Sequence, residues 1–251
     1  LAGLALELAG WGARKPAELL FLTPPAEGPF ESAREVLRSL GALDDTGAIT
    51  AHGRKVAALP LHPRLAHMLI RAGRNGAALA ALLADRDPLR DGSADLARRL
   101  AALRGGQVPA PARGTVARIR DEAKRLARMV PERSALSEAQ MAALAYPDRI
   151  GMRRAGDEPR WVLSGGKGAR LSAEDTLAGQ RLLVVTDTDG HPREALIRQA
   201  IAIGEGARAT KGNSMASGTR AIAQFDNSMA LCFGAQTSRA KVVRLHLSCS
   251  R

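Results

Sequence analysis

Apolar residues in the first half of the chain recur at helical spacing. Leu1, Leu4, Leu6 and Leu8 form a short helix-compatible run ending before Gly12. Thr23-Pro24-Pro25 interrupts regular structure, because proline lacks an N–H donor and restricts its predecessor. Phe30, Ala33, Val36, Leu37 and Leu40 predict a helix closed by Gly41. Asp44-Asp45-Thr46-Gly47 reads as a turn into a short extended Ala48-Ile49. Thr50 is placed to cap a helix over 51–59, which Pro60 ends. Pro63 suits the first turn of the next helix, whose buried face carries Leu65, Met68 and Leu69. Helices with a small strand turn between them predict a winged-helix-like unit over 1–72. Alanine-rich 77–83 and the segment 96–103, opened by Ser93 or Asp95, predict two more helices. A Gly/Pro/Ala stretch at 105–114 reads as a linker. Val116, Ile119, Ala123, Leu126 and Val130 then form a helical stripe, and 137–145 a last short helix before Pro147. These helices assign a bundle to 73–146.

The period changes after Pro147. Trp161-Val162-Leu163 is a short apolar run before Gly165-Gly166, and Leu182-Leu183-Val184-Val185 reads as a buried strand. Asp187-Thr188-Asp189-Gly190 turns the chain. Ala195, Ile197, Gln199, Ile201 and Ile203 then fall on one side of a strand. Short strands with glycine turns predict a small barrel or meander over 147–203. The fold class is therefore α+β. Residues 204–251 are rich in Gly, Ser and Thr, with one strand-like run at Val242, Val243, Leu245 and Leu247. They give too little apolar periodicity to assign a domain, and a loosely held tail is expected.

Charge changes this picture more than composition does. The 251 residues are 45% hydrophobic, enough for a real core, and carry a net charge of +12. Residues 105–170 hold 13 basic and 7 acidic side chains, half of the whole excess in a quarter of the chain. Such a balance favours polyanion partners, chiefly nucleic acid. The excess gathers on the helical stripe at 116–130, where Arg118, Arg120, Lys124, Arg125 and Arg128 occupy the remaining faces. Asp121 is expected to pair with Lys124 or Arg125. Arg153, Arg154, Lys167 and Arg170 add cations from the strand-rich part. These nine residues are the candidate nucleic-acid contacts, against the simpler alternative of a solvated helix face. Aromatics are only 3%, which argues against a stacking platform and for phosphate contacts.

Other chemistry is sparse. Gly166-Lys167 is the nearest approach to a P-loop. The required first glycine is replaced by Trp161 and the required Ser or Thr by Gly168. His246, Cys249 and Cys232 offer three metal-ligand types without a fourth. No disulfide framework, membrane span or signal-type segment is read, so a cytoplasmic protein is expected. No catalytic constellation and no metal or cofactor site is found.

Several motifs occur together in a recognisable order. "LAGLALELAGWG", "FLTPP" and "AREVLRSLGALDDTGAITAHGRKVAALPLHPRLAHMLI" resemble the segment that follows the second RecA-like domain of DEAH-box ATP-dependent helicases. The style is most similar to the bacterial HrpB branch. "AALAALLADRDPL" at 77–89 is similar to the start of that branch's helical ratchet region. "ALAYPDRIGMRR" and "WVLSGGKGARL" within 143–171, with "LAGQRLLVVTDTDG" at 177–190, resemble its strand-rich domain. "FLTPPA" departs from a commoner Asp-Pro-Pro-Pro form, and the match ends near residue 203. The resemblance implies a winged helix, a ratchet bundle and an OB-like part that help enclose a nucleic-acid strand. The implied partners are RNA or single-stranded nucleic acid and the RecA-like motor domains of the parent protein. The parent's ATP and magnesium would bind those motor domains, since no ATPase motif matches a position here. The expected role is an accessory, non-hydrolysing part of an RNA helicase. The rivals are a free-standing protein-interaction module and, less well supported, a small independent enzyme.

Overall fold

The computed structural model describes residues 1–203 except 14, 90, 134 and 135, and beyond them only four two-residue strands. By packing, the chain divides into two units. The first takes residues 1–91, 98–136 and 144–147, and the second takes 92–97, 137–143 and 148 onward. The winged-helix and bundle segments thus share most of one unit.

The first unit opens with α1 (Ala2–Gly10) and α2 (Glu27–Ser39), the latter starting three residues before the first apolar signal, Phe30. Leu6, Leu8, Phe30, Leu37, Leu43 and Val56 build its core, each at most 4% exposed. The expected turn is present. Asp44 Oδ1 accepts from Thr46 Oγ1 (2.7 Å) and from the Ala48 amide (2.9 Å), and Leu43 and Ile49 form an antiparallel bridge behind it. Thr50 caps α3 (Ala51–Ala57) as its position predicts: Oγ1 accepts from Gly53 N at 2.9 Å and donates to Gly41 O at 2.7 Å. Helix α4 (Pro63–Ala72) begins on Pro63 and buries Leu65, Met68 and Leu69. Arg64, only 8% exposed, donates to Ala145 O at 3.1 Å and lies 5.3 Å above the Tyr146 ring.

Helix α5 (Ala77–Ala84) packs on α7 (Arg113–Arg128), matching Leu79, Ala80 and Leu82 to Val116, Ile119 and Leu126. Between them runs α6 (Leu96–Leu103), which Asp95 Oδ1 opens by accepting the Ala97 amide at 2.9 Å. The expected linker is shorter than composition suggests. A 3-10 turn at Ala110–Ala112 leads straight into α7, so Arg113 and Gly114 are its first helical residues. Helix α8 (Glu138–Ala145) ends before Pro147.

The second unit is a closed five-stranded barrel: β1 (Ile150–Arg153), β2 (Arg160–Leu163), β3 (Gly168–Arg170), β4 (Leu182–Thr188) and β5 (Glu194–Ala202). The order around it is β1-β2-β3-β5-β4, with β4 returning to β1. All pairs are antiparallel except β3 with β5. Strand β2 alternates cleanly, sending Trp161 and Leu163 inward. Trp161 is fully buried and donates Nε1–H to Gln180 O at 3.2 Å. Gly151 faces it across β1 and β2, where a β-carbon would press within 3.3 Å of Trp161 Cβ.

Strand β5 does not keep the alternation expected from Ala195 to Ile203. Ile197 lies in the barrel core, but so do Ala200 and the partly buried Ala202, whereas Gln199 and Ile201 fall out of phase. The register explains this. Between the Val185–Ala200 and Asp187–Gln199 pairs β4 carries the extra residue Thr186, and between the Asp187–Gln199 and Thr188–Ile197 pairs β5 carries the extra residue Arg198, so the pairing register is restored while each strand changes facing. A one-residue bulge shifts every later side chain to the opposite face. Beyond residue 203, β6 (Arg208–Ala209) pairs with β8 (Ile222–Ala223) and β7 (Met215–Ala216) with β9 (Met229–Ala230), both parallel. The expected tail, its strand run at Val242 to Leu247, and His246, Cys232 and Cys249 otherwise lie outside the described residues.

Candidate nucleic-acid interface

Helix α7 carries six basic and two acidic side chains on its 16 residues. Packing Val116, Ile119 and Leu126 inward sends most of them out. They do not form one uniform face. Arg118 is 60% exposed and grips Asp85 with two bonds, Nε–Oδ2 at 2.9 Å and Nη2–Oδ1 at 2.7 Å. That guanidinium holds the Asp85 carboxyl below the usual carboxylate range. Lys124 pairs with Asp121 at 2.9 Å, and Arg125 pairs with Glu122 rather than with Asp121. Such exposed pairs one turn apart are weak and easily exchanged for a phosphate. Arg128 is exposed and has no ion pair among the described residues.

Arg120 differs from the other four. Its Nε donates to Leu103 O at 2.8 Å and its Nη2 to Ala102 O at 3.0 Å. These are carbonyls of the last turn of α6, which have no partner inside that helix. Arg120 is half-buried and serves as the C-terminal cap of α6, so its donors already face protein oxygens. The sequence pattern placed it with its neighbours because helical spacing alone does not show what lies beside a face.

The barrel gathers its cations by register. Arg160 on β2 stands opposite Arg170 on β3, and the Arg154 amide donates to Arg160 O at 2.8 Å, extending the ladder by one residue. Arg154, Arg160 and Arg170 thus form a row across three neighbouring strands on the barrel exterior. Like charges opposite one another destabilise a sheet. Among the described residues only Arg160 of the three has compensation within ion-pair distance, from Glu158 at 2.7 Å and Glu194 at 3.4 Å. The next row holds Met152, Val162 and Gly168, with Met152 49% and Val162 38% exposed. Lys167 is exposed in the β2–β3 turn, whose Gly166 takes φ +84°. The glycines there make a hairpin turn, as the failed P-loop match implies. Arg153 is half-buried. Its Nη2 donates to Asp157 O at 3.3 Å while its Nε is buried without a partner. Sequence reading missed Arg160. Its signal was the alternation around Trp161, which places residue 160 on the outer face.

Among the described residues no group of His, Cys, Asp or Glu is arranged to hold a metal, and no helix is long and apolar enough to cross a membrane.

Comparison with known proteins agrees with this architecture. Residues 33–61 match the family model "Helicase associated domain (HA2), winged-helix". Over 189 residues, 73% of the chain, it is 36% identical to the ATP-dependent RNA helicase HrpB of Escherichia coli K12. That alignment spans 22% of the relative's own length. The crystal structure of E. coli DExH-box NTPase HrpB aligns with a TM-score of 0.66 at 30% identity, covering 81% of this chain and 25% of that one. A second crystal structure, of Escherichia coli DEAH/RHA helicase HrpB, gives 0.63 at 29% identity, covering 80% and 25%.

Proposed function

We propose that this chain, homologous to HrpB-type DEAH-box helicases over the region beyond their RecA-like motor domains, holds single-stranded RNA for such a motor. Residues 1–72 act as the winged helix, 73–146 as a ratchet-like bundle, and 147–203 as an OB-like barrel. The barrel's order, with β3 parallel to β5, and its exposed β2–β3 face suit an OB-like reading. ATP and magnesium would belong to the parent's motor domains, which are the proposed protein partner.

The arginine row on the barrel carries this reading. Three guanidiniums in register cost stability unless a polyanion lies across them, and the apolar strip beside them gives base faces somewhere to rest. Arg153 and Lys167 border that face. On α7, Lys124, Arg125 and Arg128 present exchangeable or unpaired charge, with Arg118 beyond them. Contacts of this kind read phosphates, so affinity would depend little on base sequence.

The test is binding of an oligouridylate across a salt series. For single strands, log affinity should fall with log salt at roughly 0.7 per phosphate neutralised. Replacing Arg154 and Arg170 by Ala should flatten the slope by up to roughly 1.4, and Lys124→Ala with Arg128→Ala by a similar amount. Folded variants with unchanged slope and affinity would show that these charges are merely solvated. Salt-insensitive capture of a protein partner without RNA binding would favour the interaction-module alternative.

A further inference from the structure

The first unit contains a cleft of about 1190 Å³ that shares Arg118 with the α7 face and otherwise lies on residues not used above. Residues 86–89, Asp91, Arg98 of α6, the 107–112 connection and the first turns of α7 surround it. Arg86, Arg98, Arg113 and Arg118 all line it. Small-molecule pockets occupy roughly 300–1,000 Å³, so this one exceeds what a compact ligand fills.

Every acid on its wall is already held. Asp87 takes a two-point grip from Arg99, at 3.0 and 2.6 Å, and Arg99 itself is only 2% exposed and also donates to Leu89 O at 3.1 Å. Asp91 pairs with Arg98 at 2.9 Å, and Asp85, just behind the wall, with Arg118. Buried Arg99 therefore braces residues 87–89 from within, and the carboxylates do not oppose an incoming anion unaided. Arg86 and Arg113 are exposed and have no ion pair among the described residues. Thr115 and Gln107 add neutral donors to the lining. Helix α7 also starts here on Ala112, with no side chain capping its first amides. Its positive end adds to the field of the arginines.

We propose that this cleft is a separate phosphate-binding site, taking the sugar-phosphate backbone of single-stranded RNA through Arg86 and Arg113. It rests on the RNA-holding function above and adds a third contact region to it. Two unpaired guanidiniums in one elongated cleft suit successive phosphodiesters better than one isolated anion. Arg98 and Arg118, themselves exposed, can exchange their aspartate partners for further contacts.

The experiment uses the whole chain, isotopically labelled, titrated with a short oligouridylate. The Gly114 and Thr115 amide resonances should move on binding, and should still move in a Lys124→Ala, Arg128→Ala variant. Arg86→Ala with Arg113→Ala should weaken binding roughly three- to tenfold and flatten the salt slope by up to roughly 1.4. Both side chains are exposed, so this variant should keep its circular dichroism spectrum. Binding by the parent chain with those amides unmoved and the double variant unaffected would overturn the cleft site alone. No binding by the parent chain would overturn the RNA-holding function and the cleft site together. Inorganic pyrophosphate that moves the same amides as strongly as the oligonucleotide would show a small-anion site and overturn the strand assignment.

Discussion

Gly53 stands in the middle of α3, where glycine normally weakens a helix. A β-carbon there would overlap the Ala42 carbonyl oxygen, so the close approach of α3 to the 41–42 backbone requires it. Alanine usually gains about 1 kcal/mol over glycine inside a helix. Here the sign should reverse: Gly53→Ala should lower unfolding free energy by roughly 1–3 kcal/mol in urea titration. Two histidines fifteen residues apart supply a second residue-scale feature. His52 Nε2 lies 2.8 Å from His67 Nδ1, with the rings edge to face at 4.9 Å. One of these two facing nitrogens donates and the other accepts, and a hydrogen bond to the Leu40 backbone opposes the effect of burial on His67. Burial, with the charges of Arg71 and the neighbouring His52 against it, pushes the His67 pKa down to about 4, and burial lowers His52 as well, with Arg71 and Lys55 adding to it. The unfolded chain then takes up protons first. Stability from this pair is complete above the ordinary histidine pKa of 6.5 and is lost as pH falls from there to about 4. The loss should be on the order of 2 kcal/mol, and His67→Asn should shrink it in melting curves recorded across that range. The pairing across α3 and α4 is tertiary, and no local pattern carries it.

At the scale of elements, what could be read in advance was whatever local chemistry decides. Thr50, Pro63 and the turn at 44–47 act on backbone groups a few residues away, and each does what its residue type implies. Arg120 and β5 went otherwise because neighbours decide them. Arg120 is drawn to the carbonyl end of α6, and the extra residue Arg198 reverses the facing of β5 partway along. The row of Arg154, Arg160 and Arg170 likewise needs a strand register that spacing alone does not provide. A distinguishing prediction follows for α7. Arg120→Met should speed hydrogen exchange in the last turn of α6 while leaving the salt slope of RNA binding unchanged. Lys124→Ala with Arg128→Ala should do the reverse. A flattened slope from Arg120→Met would place that side chain on the strand instead.

At the scale of the whole molecule, the sequence's nearest approach to a phosphate cradle, Gly166-Lys167, lacks the first glycine and the Ser or Thr that a P-loop needs. The purified chain should therefore release no phosphate from ATP above a blank, with or without RNA. Nucleic-acid-stimulated release would overturn its accessory character. The chain spans about a quarter of the length of the HrpB structures it matches. The topology of the barrel also sets an order in time. Strand β5 is the last of the five barrel strands in sequence, yet it sits between β3 and β4 and pairs with both. Its Ala200 amide also donates to Ala94 O, and the Ala94 amide donates to Asp175, so a segment made a hundred residues earlier waits for it. On a ribosome that emits the chain from the N-terminus, the helices of the first unit can settle early. The four earlier strands remain an open, sticky ribbon until residues 194–202 emerge, and a chain that stalls short of them presents two unpaired edges to its neighbours.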